Sequence, residues 1–400
     1  MGAPAHSRSL TRAAGVAVLV SLTTLMPCMS CAAPRQLDHG NPAAITPVMP
    51  IPSEGGVGDG GASALRRGAT PLSASTVEPW THGTRTGERI ATGHYKIRTT
   101  LRNGDMRRFL PRFVEAALVQ YTSALGELPS PSLQMETWIF GSRDEWTAFT
   151  RERLGEEASA YIELGRGGYT SRAAAILYDI GPNDTLTILA HEGWHQYSQS
   201  VFREELPVWL EEGISTFMEG HRIVPETGEP LFMAWRNLER FGELRDAVRR
   251  GRLIPLEELL VRTPQHFLAE GRDQLLVYYA QMWALVHFLN EGGSKRCRDG
   301  LRELLADATR GAVSERIRAA AVSDEERRAI DRSLLRGGIR ALPGSTVARV
   351  YFGSDLTALA DAYRDFVGQI TARGAGEAIW RGATPIKSPP GKEKESPPGH

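Results

Sequence analysis

Two histidines four residues apart, with a glutamate beside the first, are the side chains of this sequence best suited to chemistry: His191-Glu192-Gly193-Trp194-His195. On a helix, positions i and i+4 share a face, so both imidazoles can point at one spot. Sixteen residues then intervene before Glu212, which Gly213 follows directly. Two neutral imidazoles and one carboxylate make a three-ligand zinc site with a fourth position open to water. Glu192, next to the first ligand, is placed to take a proton from that water. The plain rival is a pair of hydrogen-bonded core histidines that hold no metal.

Several acids near the third position compete. Trp209, Leu210, Ile214, Phe217 and Met218 give the segment around Glu212 an apolar face, and Glu212 lies on the side of Trp209, Ser215, Thr216 and Glu219. A carboxylate there needs a cation or donor, and zinc would serve. Glu211 points about 100° away on a helix and is expected to be solvated. Glu219, two turns on, is nearly in line with Glu212 and is a candidate hydrogen-bond acceptor behind the ligands. His221 lies beyond the expected end of the helix.

The elements that must carry these residues can be read from hydrophobic spacing. His94 to Leu101, Gln134 to Phe140 and the apolar run Ala173 to Ile180 read as strands. Leu110 to Leu128 reads as a helix, and Ser142 with Glu145 opens another by a capping-box pattern. Gly165 to Gly168 reads as a turn. Asp184 is placed to cap the helix that bears the histidines. Helical patterns then cover Pro207 to Glu219, Phe232 to Arg249, Gln274 to Asn290, Ser294 to Ala308, Asp324 to Leu335 and Asp355 to Thr371. Strands first and helices second predict an α+β fold. Its parts are a small N-terminal mixed sheet with helices, the histidine helix, and a mainly helical C-terminal part.

Composition bounds the partners. The 400 residues carry 47 basic and 47 acidic side chains, so no basic excess draws the chain to nucleic acid. Arg8 and Arg12 precede the apolar run Ala13 to Met26, and small residues follow; residues 1–33 read as a signal peptide. The run is short for a membrane span. Ser30-Cys31 resembles the end of a lipoprotein cleavage box, which makes Cys31 a candidate lipid attachment and membrane tether. Export to the cell envelope, periplasm or exterior is therefore expected. Cys297 alone remains beyond the leader, so no internal disulfide is available. Residues 34–92 and 374–400, rich in Pro, Gly and Ser, read as disordered linker and tail around a folded domain at 93–373.

The segment HEGWHQ followed by PVWLEEG resembles the gluzincin zinc metallopeptidases, in particular the peptidase MA-like group. Bacterial exported proteins of the DUF1570 type share this layout. By that resemblance His191, His195 and Glu212 bind one zinc ion and Glu192 is the general base acting on a peptide or protein substrate. The resemblance also implies a side chain that hydrogen-bonds the tetrahedral oxyanion. Tyr279 is the first candidate, Tyr278 the next, and His287, two turns on, a weaker one. Two departures stand out. The G-x-M-E-N segment of the related aminopeptidases is missing, and the spacing to Glu212 is shorter than theirs. Ser198 and Val201 fill the Gly and His positions of the metzincin pattern. The run Ala173 to Ile180 could pair with an extended peptide, or be a central strand with no free edge. The alternatives to a peptidase are a catalytically inactive binding or scaffold module of the same fold, and a zinc hydrolase of a non-peptide amide.

Overall fold

The computed structural model describes residues 75–162 and 167–386. The leader, Cys31, most of the linker and the final residues lie outside them, as does the first half of the expected turn at 165–168; Gly168 itself begins a strand. The fold is α+β, with a six-stranded mixed sheet before a mainly helical part.

In chain order the sheet region holds β1 (Thr76–His82), β2 (Arg85–Ala91), β3 (Tyr95–Thr99), α1 (Gly104–Ser123), β4 (Met135–Phe140), α2 (Arg143–Leu154), the short α3 (Ala158–Ile162), β5 (Gly168–Ser171) and β6 (Ala174–Tyr178). The strand order is β1-β2-β3-β4-β6-β5. The central pairs β3–β4 and β4–β6 are parallel and the outer ones antiparallel. Period-two alternation makes two layers. Met135, Ile139, Ala175 and Leu177 enter the main core with α1 and the histidine helix. Trp138, Phe140, Ile176 and Tyr178 join Trp146 and Phe149 of α2 in a second core on the other face. A strand covered on both sides can be apolar throughout, as β6 is.

The histidine helix is α4 (Pro182–Val201) and the Glu212 helix is α5 (Val208–Met218). The hairpin β7 (His221–Ile223) and β8 (Pro230–Phe232) follows, then α6 (Leu238–Arg249), α7 (Leu256–Val261), α8 (Pro264–Glu270) and α9 (Arg272–His287). A π-helical turn, Phe288–Gly292, ends α9. The chain finishes with α10 (Lys295–Arg310), α11 (Val313–Ala319), α12 (Asp324–Gly337), α13 (Gly344–Phe352), α14 (Leu356–Thr371) and α15 (Ala375–Arg381).

Several expectations need correction. The sheet starts at Thr76, well before the expected boundary at 93, because Trp80 and His82 of β1 pack on Trp138 and Phe149. Those contacts are long-range, and the local composition gives no hint of them. The fold also runs past 373, since α15 buries Ile379. The stretch expected to be helical from Phe232 ends β8 instead, and α6 starts only after Asn237, whose side chain accepts from the Arg240 N–H. Asp184 does not cap α4. Gly181 holds the cap position, Pro182 opens the helix, and Asp184 sits in the first turn, where its charge suits the helix dipole. Half of the capping box of α2 forms: Ser142 Oγ accepts from Glu145 N at 3.3 Å, while the Glu145 carboxylate accepts from the Thr100 hydroxyl and the Gly141 N–H.

Candidate metal centre

α4 is buried on every side from Ile188 to Ser198, which is why its sequence shows no polar face. Gly193 lets α1 come close: a Cβ there would collide with the Tyr121 hydroxyl, which donates to Ala190 O at 2.8 Å. Gly213 does the same between α5 and α9, where a Cβ would lie 2.8 Å from Val286 Cγ2. Gln196 fastens α4 to the sheet through its amide N–H groups, which donate to Glu136 O and Ala173 O, and its oxygen, which accepts from Thr137 Oγ1 at 3.2 Å.

This packing brings His191, His195 and Glu212 together, with one candidate ligand atom from each within 4.8 Å of the others. His191 Nε2 lies 3.8 Å from Glu212 Oε2. The three form a buried group that can hold a metal ion. The far side of each imidazole is tied to a carboxylate. His191 Nδ1 is 2.8 Å from Glu219 Oε1, and His195 Nδ1 is 2.9 Å from Glu211 Oε1. A carboxylate that accepts a hydrogen bond from Nδ1–H keeps the proton on that nitrogen and leaves Nε2 as the coordinating atom, the usual outer shell of a histidine metal site. His191 Nε2 is buried and has no hydrogen-bond partner, as expected of an atom prepared for a cation. The donor set fits zinc in both type and number.

Both outer carboxylates are themselves held. Glu219 accepts from Arg240 Nη2 at 2.9 Å, Arg240 Nε at 3.1 Å and Asn237 Nδ2 at 2.7 Å. Burial raises the pKa of Glu219, but the Arg240 charge and His191 outweigh it and bring it down to about 2. Glu211 also accepts from Ser198 Oγ at 2.5 Å. Glu211 is therefore not solvated as expected; it is 4% exposed and serves His195. The helix PVWLEEG is apolar on nearly all sides, so both of its acids had to be buried, a signal available in the sequence. The candidate role of Glu219 behind the ligands agrees with its contact to His191. His221 lies on β7 with Nδ1 2.8 Å from Glu219 O, outside the ligand group.

Glu192 faces β5 and lies within electrostatic reach of His191, His195 and Glu212. Its Oε2 is 2.9 Å from Thr170 Oγ1 on β5, while Oε1 is buried without a partner. Burial raises its pKa against the pull of both histidines. Tyr279 on α9 stands edge-on to His191, with ring centres 6.3 Å apart, and the Arg240 guanidinium carbon is 5.2 Å from its ring centre. Tyr278 stacks on Phe267, and His287 stacks on Trp235 at 3.6 Å with Nδ1 against Glu291, in the core rather than at the ligand group.

Residues 185–310 match the family model of a protein of unknown function, DUF1570. No curated protein and no solved structure matches the chain. The DUF1570 stretch holds the three candidate ligands, Glu192, both outer carboxylates, Arg240 and Tyr279; it leaves out β5 and Thr170. Arg240, Asn237 and Thr170 escaped the sequence reading. Arg240 lies in a helix rich in charges and gives no sign of its burial, and Thr170 contacts Glu192 only because β5 lies against α4.

β6, the strand weighed for peptide pairing, is interior, between β4 and β5. The sheet edge beside α4 is β5. A cavity of about 530 Å³, lined by Asp184, Ile188, Glu219, Ile223 and Leu238 among others, follows the His191 side of α4 towards its N-terminus. A larger one, about 700 Å³, lies between β2, the β3–α1 loop and α2 and touches no candidate ligand.

Proposed function

We propose that this chain is an exported zinc-dependent metallopeptidase of gluzincin type. The observation that carries the reading is the pairing of a prepared cation site with a separate, uncommitted base. His191 and His195 each give Nδ1 to a carboxylate, and Glu192 Oε1, one residue from the first ligand, has no partner. A zinc ion held by His191, His195 and Glu212 would supply a Lewis acid for a carbonyl oxygen and bring the pKa of water towards neutrality. Glu192 takes the proton of the attacking water at Oε1 and returns it to the leaving amine. Its raised pKa, caused by burial, suits a group that must both accept and release a proton. Tyr279 is the candidate donor to the oxyanion. The balanced charge argues against a nucleic-acid partner. The leader pattern supports export and a tether at Cys31. Among the described residues no helix is long and apolar enough to cross a membrane.

A second reading rests on depth. His191, Glu192, His195 and Glu212 are at most 3% exposed, as at a structural metal site in a non-catalytic module. A structural site needs no free carboxylate beside it, and Glu192 favours catalysis. The Glu192→Gln variant decides between them. It should retain zinc and lose all cleavage of a peptide library that the wild type cuts. Equal cleavage by both proteins would remove Glu192 from the mechanism.

A further inference from the structure

The β5–β6 hairpin is joined by Arg172 and Ala173, both at positive φ, 53° and 56°. Two such residues in a two-residue loop form a type I′ turn, which normally uses Gly, which has no Cβ to strain, or Asn, whose short polar side chain bonds locally. Here α4 holds the turn. Gln199 Oε1 accepts from Ala173 N at 2.9 Å, and Gln196 Nε2 donates to Ala173 O at 3.2 Å. Two glutamines of the histidine helix thus fix the position of β5 along that helix. The residue this register delivers to α4 is Thr170. Its hydroxyl lies 2.9 Å from both Glu192 Oε2 and Glu192 O. Thr170 is 5% exposed, and no other hydrogen bond to the Glu192 carboxylate is present among the described residues.

We propose that Thr170 is the positioning residue of Glu192: its hydroxyl holds Oε2, which leaves Oε1 as the oxygen that accepts a proton at the metal centre. This rests on the reading of Glu192 as a base. A buried carboxylate with one oxygen held has a fixed plane, and the second oxygen then has a fixed direction. The backbone oxygen of Glu192 competes for the same hydrogen, but a charged carboxylate is the stronger acceptor. The clamp on the turn matters because a hydrogen bond of this kind is lost if β5 slides by a fraction of a residue.

The test compares Thr170→Val, which keeps the shape and deletes the hydroxyl, with Thr170→Ser, which restores it. The probe is acetohydroxamic acid, whose acidic O–H needs an acceptor beside the metal, titrated calorimetrically into the zinc-loaded full chain. Thr170→Val should bind it about tenfold more weakly, the worth of one hydrogen bond to a charged group, and Thr170→Ser should stay within about twofold of wild type. Both should keep wild-type zinc content. Crystal structures should show the Glu192 carboxylate displaced in Thr170→Val and in place in Thr170→Ser. Wild-type binding by Thr170→Val with an unmoved carboxylate would overturn the inference alone. A Glu192→Gln variant that binds the probe as tightly as wild type, or a chain that takes up no zinc, would instead sink the reading beneath it, and the inference with it.

Discussion

Replacing Glu219 by Gln tests the outer support of the metal centre with the least change of shape. Glu219 Oε1 accepts from His191 Nδ1 and Arg240 Nη2, and Oε2 accepts from Asn237 Nδ2 and Arg240 Nε. An amide can present its oxygen to only one of these pairs; its NH₂ then faces two donors. Asn237 cannot turn to help, because its own amide also donates to Thr216 O and its oxygen accepts from Arg240 N. Arg240, 1% exposed, is left as a buried cation without its counter-charge. Breaking a buried pair costs about 3–5 kcal/mol, and the two bonds that survive set the loss near 3 kcal/mol. For a domain of this size that is a fall of about 6 °C in Tm. His191 is left facing either the amide NH₂ or a neutral oxygen in place of a carboxylate, which should weaken metal binding by about 10- to 100-fold. Thermal melts of chelated and metal-loaded protein read the first number, and competition with a chromophoric chelator reads the second. Unchanged affinity with lowered Tm would confine Glu219 to neutralising Arg240; no change in either would refute the reasoning.

Two further outcomes are expected. In the metal-free protein, burial works against a charged His191, but the carboxylates of Glu212 and Glu219 outweigh it and lift its pKa from 6.5 to about 9. A raised folded-state pKa stabilises fully below the unfolded value and is lost as pH climbs through the folded one. Chelated protein should therefore lose about 3 kcal/mol between about pH 6.5 and 9 in denaturant titrations, whereas metal-loaded protein, whose His191 carries no proton at Nε2, should not. Gly193→Ala should cost about 1–3 kcal/mol by forcing a methyl onto the Tyr121 hydroxyl. Adding Tyr121→Phe should recover much of that, since the nearest ring carbon is 3.3 Å from the new Cβ; strictly additive losses would contradict the collision.

The centre of the site was legible in the sequence because its geometry is local. His191, Glu192 and His195 lie on one helix, whose periodicity fixes their relation, and Glu212 lies on the next helix among apolar residues that force it inward. The α+β order of elements was legible for the same reason. What escaped depends on distant partners. Glu211 was assigned to solvent by helix angle alone, but α4 covers that side of α5 and puts His195 and Ser198 there. The hairpin β1–β2 reads as linker until Trp138 and Phe149 are known to lie beneath it. Thr170 sits in a segment of ordinary composition; the turn that aims it is strained, and neither Arg172 nor Ala173 announces a positive φ.

The most direct test of the whole account is the metal content of the wild-type chain, purified without added metal and measured by plasma mass spectrometry beside a His195→Ala variant. Wild type should carry about one zinc per chain and the variant far less, since a three-ligand site loses a ligand. A folded wild-type chain that holds no zinc and takes up none from solution would contradict the account.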